Sequence, residues 1–416
     1  MANNNYAARR QALHKNLSDG SVLILFSGTA PDKSADEQYP FTVSRNFYYL
    51  TGLDREGFIY LAHKLTGQIQ EVVFIEKPDP AREKWTGFRM REETAREISG
   101  IDKVLYEEDF QPYVNRLLLH GNYGEAHLDL ESRSLEGPPT PAQQMAGQLR
   151  AHHPYLTIRN AYPSITAMRR IKSDEEVRLM REAIAITAAG LENLWRQARP
   201  GLKEYQLEAH FDFALKMAGV QGFAFPSIVA SGPNATILHY VENAREAQDG
   251  ELVLLDLGAQ YGYYAADISR TFPVNGRFDA RQRELYEIVL KVQAAVIDAI
   301  KPGFPMKELN EIAKKVLAQE LLQNGLIKEE SELGRYYYHN VSHFLGLDTH
   351  DVGVYDGELL PGMVITVEPG LYVAEEQIGI RVEDDVLVTA DGAEVLSRAI
   401  PKQVAEIEAA MSSQPA

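Results

Sequence analysis

The chain contains no cysteine among its 416 residues. Disulfides and thiolate metal sites are excluded, so any bound metal must be held through oxygen and nitrogen. No apolar run approaches the ~20 residues needed to span a bilayer. The opening segment, Met1-Ala-Asn-Asn-Asn-Tyr-Ala-Ala-Arg-Arg, is not followed by the apolar stretch of a secretory leader. A soluble cytoplasmic protein is therefore expected. Neither phosphate-loop pattern, G-x-x-x-x-G-K-[ST] or G-x-G-x-x-G, is present, and the serine-hydrolase elbow G-x-S-x-G is also missing. Basic residues are in the minority, 42 against 59 acidic, for a net charge of −17. That balance disfavours nucleic acid as a partner and serves solubility.

Hydrophobic residues make up 45% of the chain and charged residues 24%, enough for an ordinary core and too few charges for global disorder. The length predicts two domains. In the first part, Ser21–Phe26, Gly57–Ala62 and Gln70–Ile75 read as strands, and Pro80–Ser99 and Pro141–His152 as helices. Strands alternating with helices predict an α/β domain over 1–162. A linker is expected near 160–172. Beyond it lies a second domain, 163–416. There a helix from Ser173, with Glu176 completing a capping box, runs to Ala198 and stops at Pro200-Gly201. A second helix follows over Lys203–Ala218. The same order recurs later: Asp279–Ile300, then Pro302-Gly303, then Met306–Asn324 with Gly325 as the cap. Each helix pair leads through a histidine-bearing segment to an acid-bearing hairpin. The pattern predicts a duplicated helix-helix-hairpin domain, α+β overall, whose two hairpins meet at a shared centre.

The hairpins carry the chemistry. Gly250-Glu-Leu-Val-Leu-Leu-Asp256-Leu-Gly258 and Gly362-Met-Val-Ile-Thr-Val-Glu368-Pro-Gly370 share one design. An apolar strand ends in a carboxylate, with glycine two residues further on. Each is followed by a strand with a second acid, Asp267 or Glu383. Folded back about Tyr261-Gly262, Asp256 and Asp267 would stand opposite each other, as would Glu368 and Glu383 about Glu375-Glu376. Like charges opposite one another on a sheet repel, and a desolvated carboxylate is costly. Separate surface carboxylates with lysine or arginine partners would avoid both penalties. A divalent cation shared by the paired acids is the sharper reading. His339, His343 and His350 fall within twelve residues between the hairpins. A zinc-protease H-E-x-x-H needs glutamate after its first histidine, and here that residue is Asn340. An oxygen-rich set of four carboxylates and an imidazole suits manganese-like ions, two of them sharing bridging carboxylates. Such a centre does hydrolytic chemistry.

At these residues the chain resembles the pita-bread metallopeptidases, and among them the aminopeptidase P and prolidase group. The matching positions are Asp256, Asp267, His343 in Ser-His343-Phe-Leu-Gly, Glu368 in Val-Glu368-Pro-Gly, and Glu383 in Arg-Val-Glu383-Asp. The resemblance implies a pita-bread catalytic domain preceded by an α/β domain of the creatinase and aminopeptidase P N-terminal type. It implies two metal ions, usually manganese, with cobalt or zinc as alternatives. Asp267 and Glu383 would bridge both, Asp256 would hold one, and His343 and Glu368 the other. A hydroxide between the ions would attack the carbonyl before a proline nitrogen, with Glu368 as proton shuttle. His239 and His350 resemble the family's histidines that hold substrate and developing oxyanion. His339 resembles the one near the proline pocket, and Arg381 the arginine behind the ligand carboxylates. Ile237-Leu-His239-Tyr-Val-Glu-Asn243 and the Ser34–Gly52 segment are similar to the bacterial aminopeptidase P form. So is Lys84-Trp85-Thr-Gly, whose tryptophan in that group reaches a neighbouring subunit's active site. The alternative is a tryptophan buried in its own domain.

The implied activity is release of the N-terminal residue from peptides with proline second, by a homodimer or homotetramer. A prolidase acting on Xaa-Pro dipeptides is the nearest alternative. A non-catalytic binding protein or a metal-independent creatinase-type enzyme would not need the five usable ligand side chains. A methionine aminopeptidase lacks a domain like residues 1–160. Two features depart from the family pattern. Asn340 replaces the usual glycine after the first histidine, which raises the question of a left-handed backbone there. The connection from Glu368 to Glu383 is also short compared with some members.

Overall fold

Ser21–Phe26 is a run of aliphatic residues, buried over nearly its whole length, and forms β1 inside a mixed six-stranded sheet. Strands β2 (Ile59–Leu65) and β3 (Gln68–Ile75) fold back antiparallel through Thr66-Gly67, where both residues have positive φ. The short strands β4 (Val104–Tyr106), β5 (Glu125–Leu128) and β6 (Thr157–Asn160) join in parallel, giving the order β4-β3-β2-β1-β5-β6. The helices are α1 (Asn4–Lys15), α2 (Arg45–Thr51), α3 (Pro80–Thr86), α4 (Glu92–Ser99), α5 (Phe110–His120), α6 (Pro141–His152) and α7 (Tyr162–Arg169). Side chains of α5 and α6, among them Phe110, Val114, Met145 and Leu149, pack with Val22, Ile24, Leu61 and Phe74 of the sheet. These elements form the unit Met1–Arg169; a second unit comprises Arg170–Ala416. The computed structural model describes residues 4–132, 134–220 and 222–412.

Two expectations for this unit change. The single helix over Pro80–Ser99 is two helices, because Gly87 leaves the helix at φ +83° and the chain does not become helical again until Glu92. The segment near 160–172, expected as a linker, contains the end of β6 and the two-turn helix α7.

The second unit has the predicted repeat. Ser173 accepts from the Glu176 amide while the Glu176 carboxylate accepts from the Ser173 amide, starting α8 (Asp174–Gln197). Helix α9 (Glu204–Met217) follows, then β7 (Ile228–Ser231), β8 (Leu252–Leu257), β9 (Gln260–Tyr261), β10 (Tyr264–Ala265) and β11 (Ile268–Pro273). The second copy begins with α10 (Ala280–Ala299), capped by Asp279, and α11 (Glu308–Asn324), closed by Gly325 in the left-handed region. It continues with β12 (Val364–Val367), β13 (Gly370–Val373), β14 (Ile378–Arg381), β15 (Asp384–Val388) and β16 (Ala393–Val395), and α12 (Val404–Ser412) ends the described chain. In the first half β7 runs antiparallel beside β8. In the second half residues 341–345 run beside β12: the Leu345 amide donates to Val364, Thr366 to His343 and Glu368 to Val341. The equivalence explains the position of His343, which enters the site on a strand-like segment alongside the strand that delivers Glu368.

Register settles how the acids meet. The second hairpin pairs Val367 with Asp384 and Gly370 with Arg381, so carrying one register through the gap puts Glu368 across from Glu383, as expected. The first hairpin differs. It turns at Gly262-Tyr263, both with positive φ, and pairs Asp256 with Ser269 and Leu257 with Ile268. Asp267 therefore lies across from Gly258, and Asp256 and Asp267 are diagonal neighbours on one face instead of directly opposed. A bulky tyrosine with positive φ is an unusual turn residue, which is why the turn centre fell one residue early in the sequence reading.

The two hairpins are stitched together. The Glu383 amide donates to the Ser269 carbonyl at 3.0 Å, and Thr271 exchanges hydrogen bonds with Arg381 at 3.1 Å each way. Behind them Arg270 is fully buried. It pairs with Asp384 at 2.8 Å and donates to the Glu383 carbonyl, while Lys402 reaches the other Asp384 oxygen at 2.6 Å. Burial alone would raise the Asp384 carboxyl, but the two cations outweigh it and hold the group below its usual range.

The glycine after each acid has a steric cause. A Cβ on Gly258 would overlap the Ala266 carbonyl next to Asp267. Gly258→Ala is predicted to destabilise the protein by about 1–3 kcal/mol, the usual cost of overpacking, read as a lower midpoint in chemical denaturation. An unchanged midpoint would show that the hairpin can open there at no cost.

Candidate metal centre

Five ligand-type side chains converge where the hairpins meet. Ser269, on the same strand face as Asp267, organises three of the charged groups around it. Its Oγ lies 2.8 Å from Glu383 Oε2 and 3.1 Å from Asp256 Oδ1, and accepts from Arg381 Nε at 2.8 Å. Arg381 Nη2 also donates to Asp256 Oδ2 at 2.7 Å. His343 Nε2 stands 3.4 Å from Asp267 Oδ2 and 3.5 Å from Glu368 Oε1. Ligand atoms of Asp267, His343 and Glu383 all lie within 4.8 Å of one another, a spacing that a metal ion can bridge.

The electrostatics favour a cation here. Burial pushes the Asp267 carboxyl well above the usual range, and Asp256, Asp385 and Glu368 push it further. Burial likewise raises Glu383, with Asp267, Glu368 and Asp256 adding to it. Glu368 is raised by burial, although His343 and Arg381 act against the shift. Asp385 adds another buried acid, with Oδ2 accepting from the Asp267 amide at 3.3 Å and no hydrogen-bond partner for Oδ1. Desolvated carboxylates facing one another in this way are stable when a multivalent cation compensates them. The donor set, carboxylate oxygens plus one imidazole with no thiolate, fits a hard or borderline divalent ion.

The three other histidines stand around this cluster. The His350 ring lies 4.3 Å from the His343 ring, centroid to centroid. Burial, then His343 and His239, lower its pKa. His339 is pushed down to about 4, by burial first and Arg381 second, with His239 contributing. It is therefore neutral near pH 7. Its Nδ1 lies 2.8 Å from the Asn340 carbonyl, an acceptor, which assigns the proton to Nδ1. Its Nε2 then accepts from the Tyr372 hydroxyl at 2.9 Å, and that hydroxyl accepts from Arg381 Nη1 at 3.1 Å. Asn340 is not among the described non-glycine residues with positive φ, so its departure from glycine needs no left-handed backbone.

Three supporting residues escaped the sequence reading. Ser269 was legible only as the residue two after Asp267, on the same face of a strand. Tyr372 is two residues after Gly370 and fully buried. Lys172, just before α8, forms a buried ion pair at 3.0 Å with Asp351, the neighbour of His350. No local pattern marks that pair, which joins residues 179 apart. Trp85 is 89% exposed on α3, with Phe88 close to it in sequence at 87%, so burial within its own domain is excluded.

With this geometry established, comparisons with known proteins are specific. Residues 178–390 match the model of metallopeptidase family M24, and residues 6–123 match the aminopeptidase P N-terminal domain. The Xaa-Pro aminopeptidase of Haemophilus influenzae is 34% identical, with 98% of this chain and 97% of that protein aligned. A structure from Bacillus anthracis, assigned as an aminopeptidase P, superposes with a TM-score of 0.98 at 49% identity, covering 100% of this chain and 99% of that one. Aminopeptidase P from Escherichia coli with the inhibitor Pro-Leu gives 0.92 at 32% identity, covering 99% of each chain. A matching family model over more than half the chain and relatives aligned end to end give one conclusion: the chain belongs to metallopeptidase family M24.

Proposed function

We propose that this chain is an Xaa-Pro aminopeptidase, hydrolysing the bond before a proline in second position. The observation that carries the reading is the convergence of Asp256, Asp267, His343, Glu368 and Glu383, Asp267 and Glu383 buried and the other three half-buried, in a chain aligned along its length with proteins of that activity. These five residues would hold two divalent ions, manganese first and cobalt or zinc as substitutes. Bound ions of this kind supply Lewis-acid polarisation of the scissile carbonyl and an ionised water at neutral pH.

The remaining work falls to the chain. Glu368, with Oε1 3.5 Å from His343 and Oε2 3.8 Å from His339, carries the proton of the attacking nucleophile to the proline nitrogen. His239 and His350 orient the peptide and steady the oxygen on which charge develops. Neutral His339, held by Asn340 and Tyr372, lines the proline side of the cleft. Arg381 fixes Asp256 and Ser269 without touching substrate, the usual task of a residue behind a metal ligand.

Among the described residues no helix is long and apolar enough to cross a membrane. A cytoplasmic location and a homodimeric or homotetrameric assembly belong to the same reading. The exposure of Trp85 supports the assembly, since a large apolar ring left in water is a candidate contact with another subunit.

The enzyme reloaded with Mn(II) is predicted to release arginine from Arg-Pro-Pro faster than from the dipeptide Arg-Pro. A preference for the dipeptide would identify a prolidase, and metal-free, inert protein would indicate a binding role. Asp267→Asn should lower the bound metal measured by elemental analysis and reduce kcat by at least about a thousandfold, as expected for lost metal-ion catalysis; full activity in that variant would contradict the two-metal assignment. Trp85→Ala should lower kcat/KM in the assembled protein while leaving metal content unchanged, and unaltered kinetics would remove the tryptophan from the neighbouring site.

A further inference from the structure

We infer that Glu204 is a positioning residue for His239: a buried carboxylate that shapes the loop presenting this histidine. The inference rests on the peptidase reading above. Residues 237–245 contain no helix or strand, and beyond the Glu204 amide donating to the Arg245 carbonyl at the far end, no backbone ladder among the described residues fixes the loop that carries His239. Side chains do that work instead. Glu204 is the first residue of α9 and is fully buried. Its Oε1 accepts from the Ser231 amide at 2.7 Å, the Ser231 hydroxyl at 2.8 Å and Asn234 Nδ2 at 3.1 Å. Its Oε2 accepts from the Tyr240 hydroxyl and the Arg245 amide, each at 2.8 Å. The donors bracket His239 on both sides in sequence, and one of them is its immediate neighbour.

The loop is held at further points that make this carboxylate its centre. Arg245 forks onto Glu251 with two bonds of 2.6 Å and also donates to the Ser231 hydroxyl at 3.0 Å. Asn243, with φ +46°, accepts from the Val229 amide at 3.0 Å and donates to Ser227 and Glu208. From the second half of the repeat, the Tyr338 hydroxyl donates to the Thr236 carbonyl at 2.8 Å. The Ala235 carbonyl also packs where a Cβ on Gly379 would otherwise sit. A fully buried carboxylate is expensive, and an apolar core would be the cheaper way to stabilise a fold. Five donors directed at one acid make sense where backbone direction matters more than stability. Here that direction sets the position of an exposed imidazole that acts electrostatically on both His339 and His350.

The test is a double-mutant cycle in the Mn(II)-loaded enzyme, using Arg-Pro-Pro as substrate. Glu204→Gln keeps the shape and removes acceptor capacity. It should lower kcat/KM on the order of ten- to a hundredfold, the effect of a small misplacement near the chemistry, with metal content unchanged. His239→Ala alone should also lower it. The double variant should fall no further than His239→Ala, because Glu204 acts only through that histidine. Multiplying losses would overturn the inference, since a general loss of structure would persist without the imidazole. Tyr240→Phe replaces Glu204→Gln in the same cycle if the latter does not fold, with the same two outcomes. An undiminished His239→Ala enzyme would instead overturn the role given to His239 itself, and His239→Ala alone distinguishes that failure from the other.

Discussion

Mutual repulsion among buried and half-buried carboxylates is the constraint on which the second unit depends. Asp256, Asp267, Glu368 and Glu383 come together at the junction of two hairpins, with Asp385 just behind them. The energy of bringing them together must be met by something of opposite charge. Arg381 meets part of it from one side, through Asp256 and Ser269. Arg270 and Lys402 satisfy the neighbouring Asp384 from the back. These three cations pair with Asp256 and Asp384, whereas Asp267, His343 and Glu383 converge closely enough to hold a divalent ion. The fold thus supplies an acidic cluster compensated from behind by arginine and lysine, with a ligand set in front that could hold a metal.

Duplication makes such a cluster easy to build. Each half provides two helices and one hairpin, and the hairpins join along β11 and residues 381–385. The halves then diverge at the strand next to the hairpin. In the second half the segment beside β12 carries His343 as a ligand; in the first half the corresponding strand β7 leads into the loop that carries His239. On the proposed roles, one element position would yield a metal ligand in one copy and a substrate-facing imidazole in the other.

Much of this was legible in the sequence because the spacing of acids, glycines and helix stops is local. Ser173 with Glu176, and Gly325 after Asn324, marked helix ends through hydrogen bonds made within a few residues. Glu368 and Glu383 could be paired because their turn lies at their midpoint. Asp256 and Asp267 were paired two residues off, with the turn centre one residue early, because Tyr263 takes a conformation that sequence chemistry assigns to glycine or asparagine. The helix break at Gly87 was missed because an isolated glycine in a polar amphipathic run is ambiguous. Tyr372, Lys172 and Glu204 were invisible for a different reason: each acts on a partner far away along the chain, and only the folded structure brings them together. Whether Trp85 was buried or exposed was likewise a question of tertiary packing.

The central claim is that the junction of the two hairpins is a two-ion site. Anomalous diffraction from crystals of the Mn(II)-loaded protein tests it directly. Two manganese peaks are predicted, both bordered by Asp267 and Glu383, one also by Asp256 and the other by His343 and Glu368. Manganese peaks elsewhere, with these five side chains contacting only one another, would contradict the account.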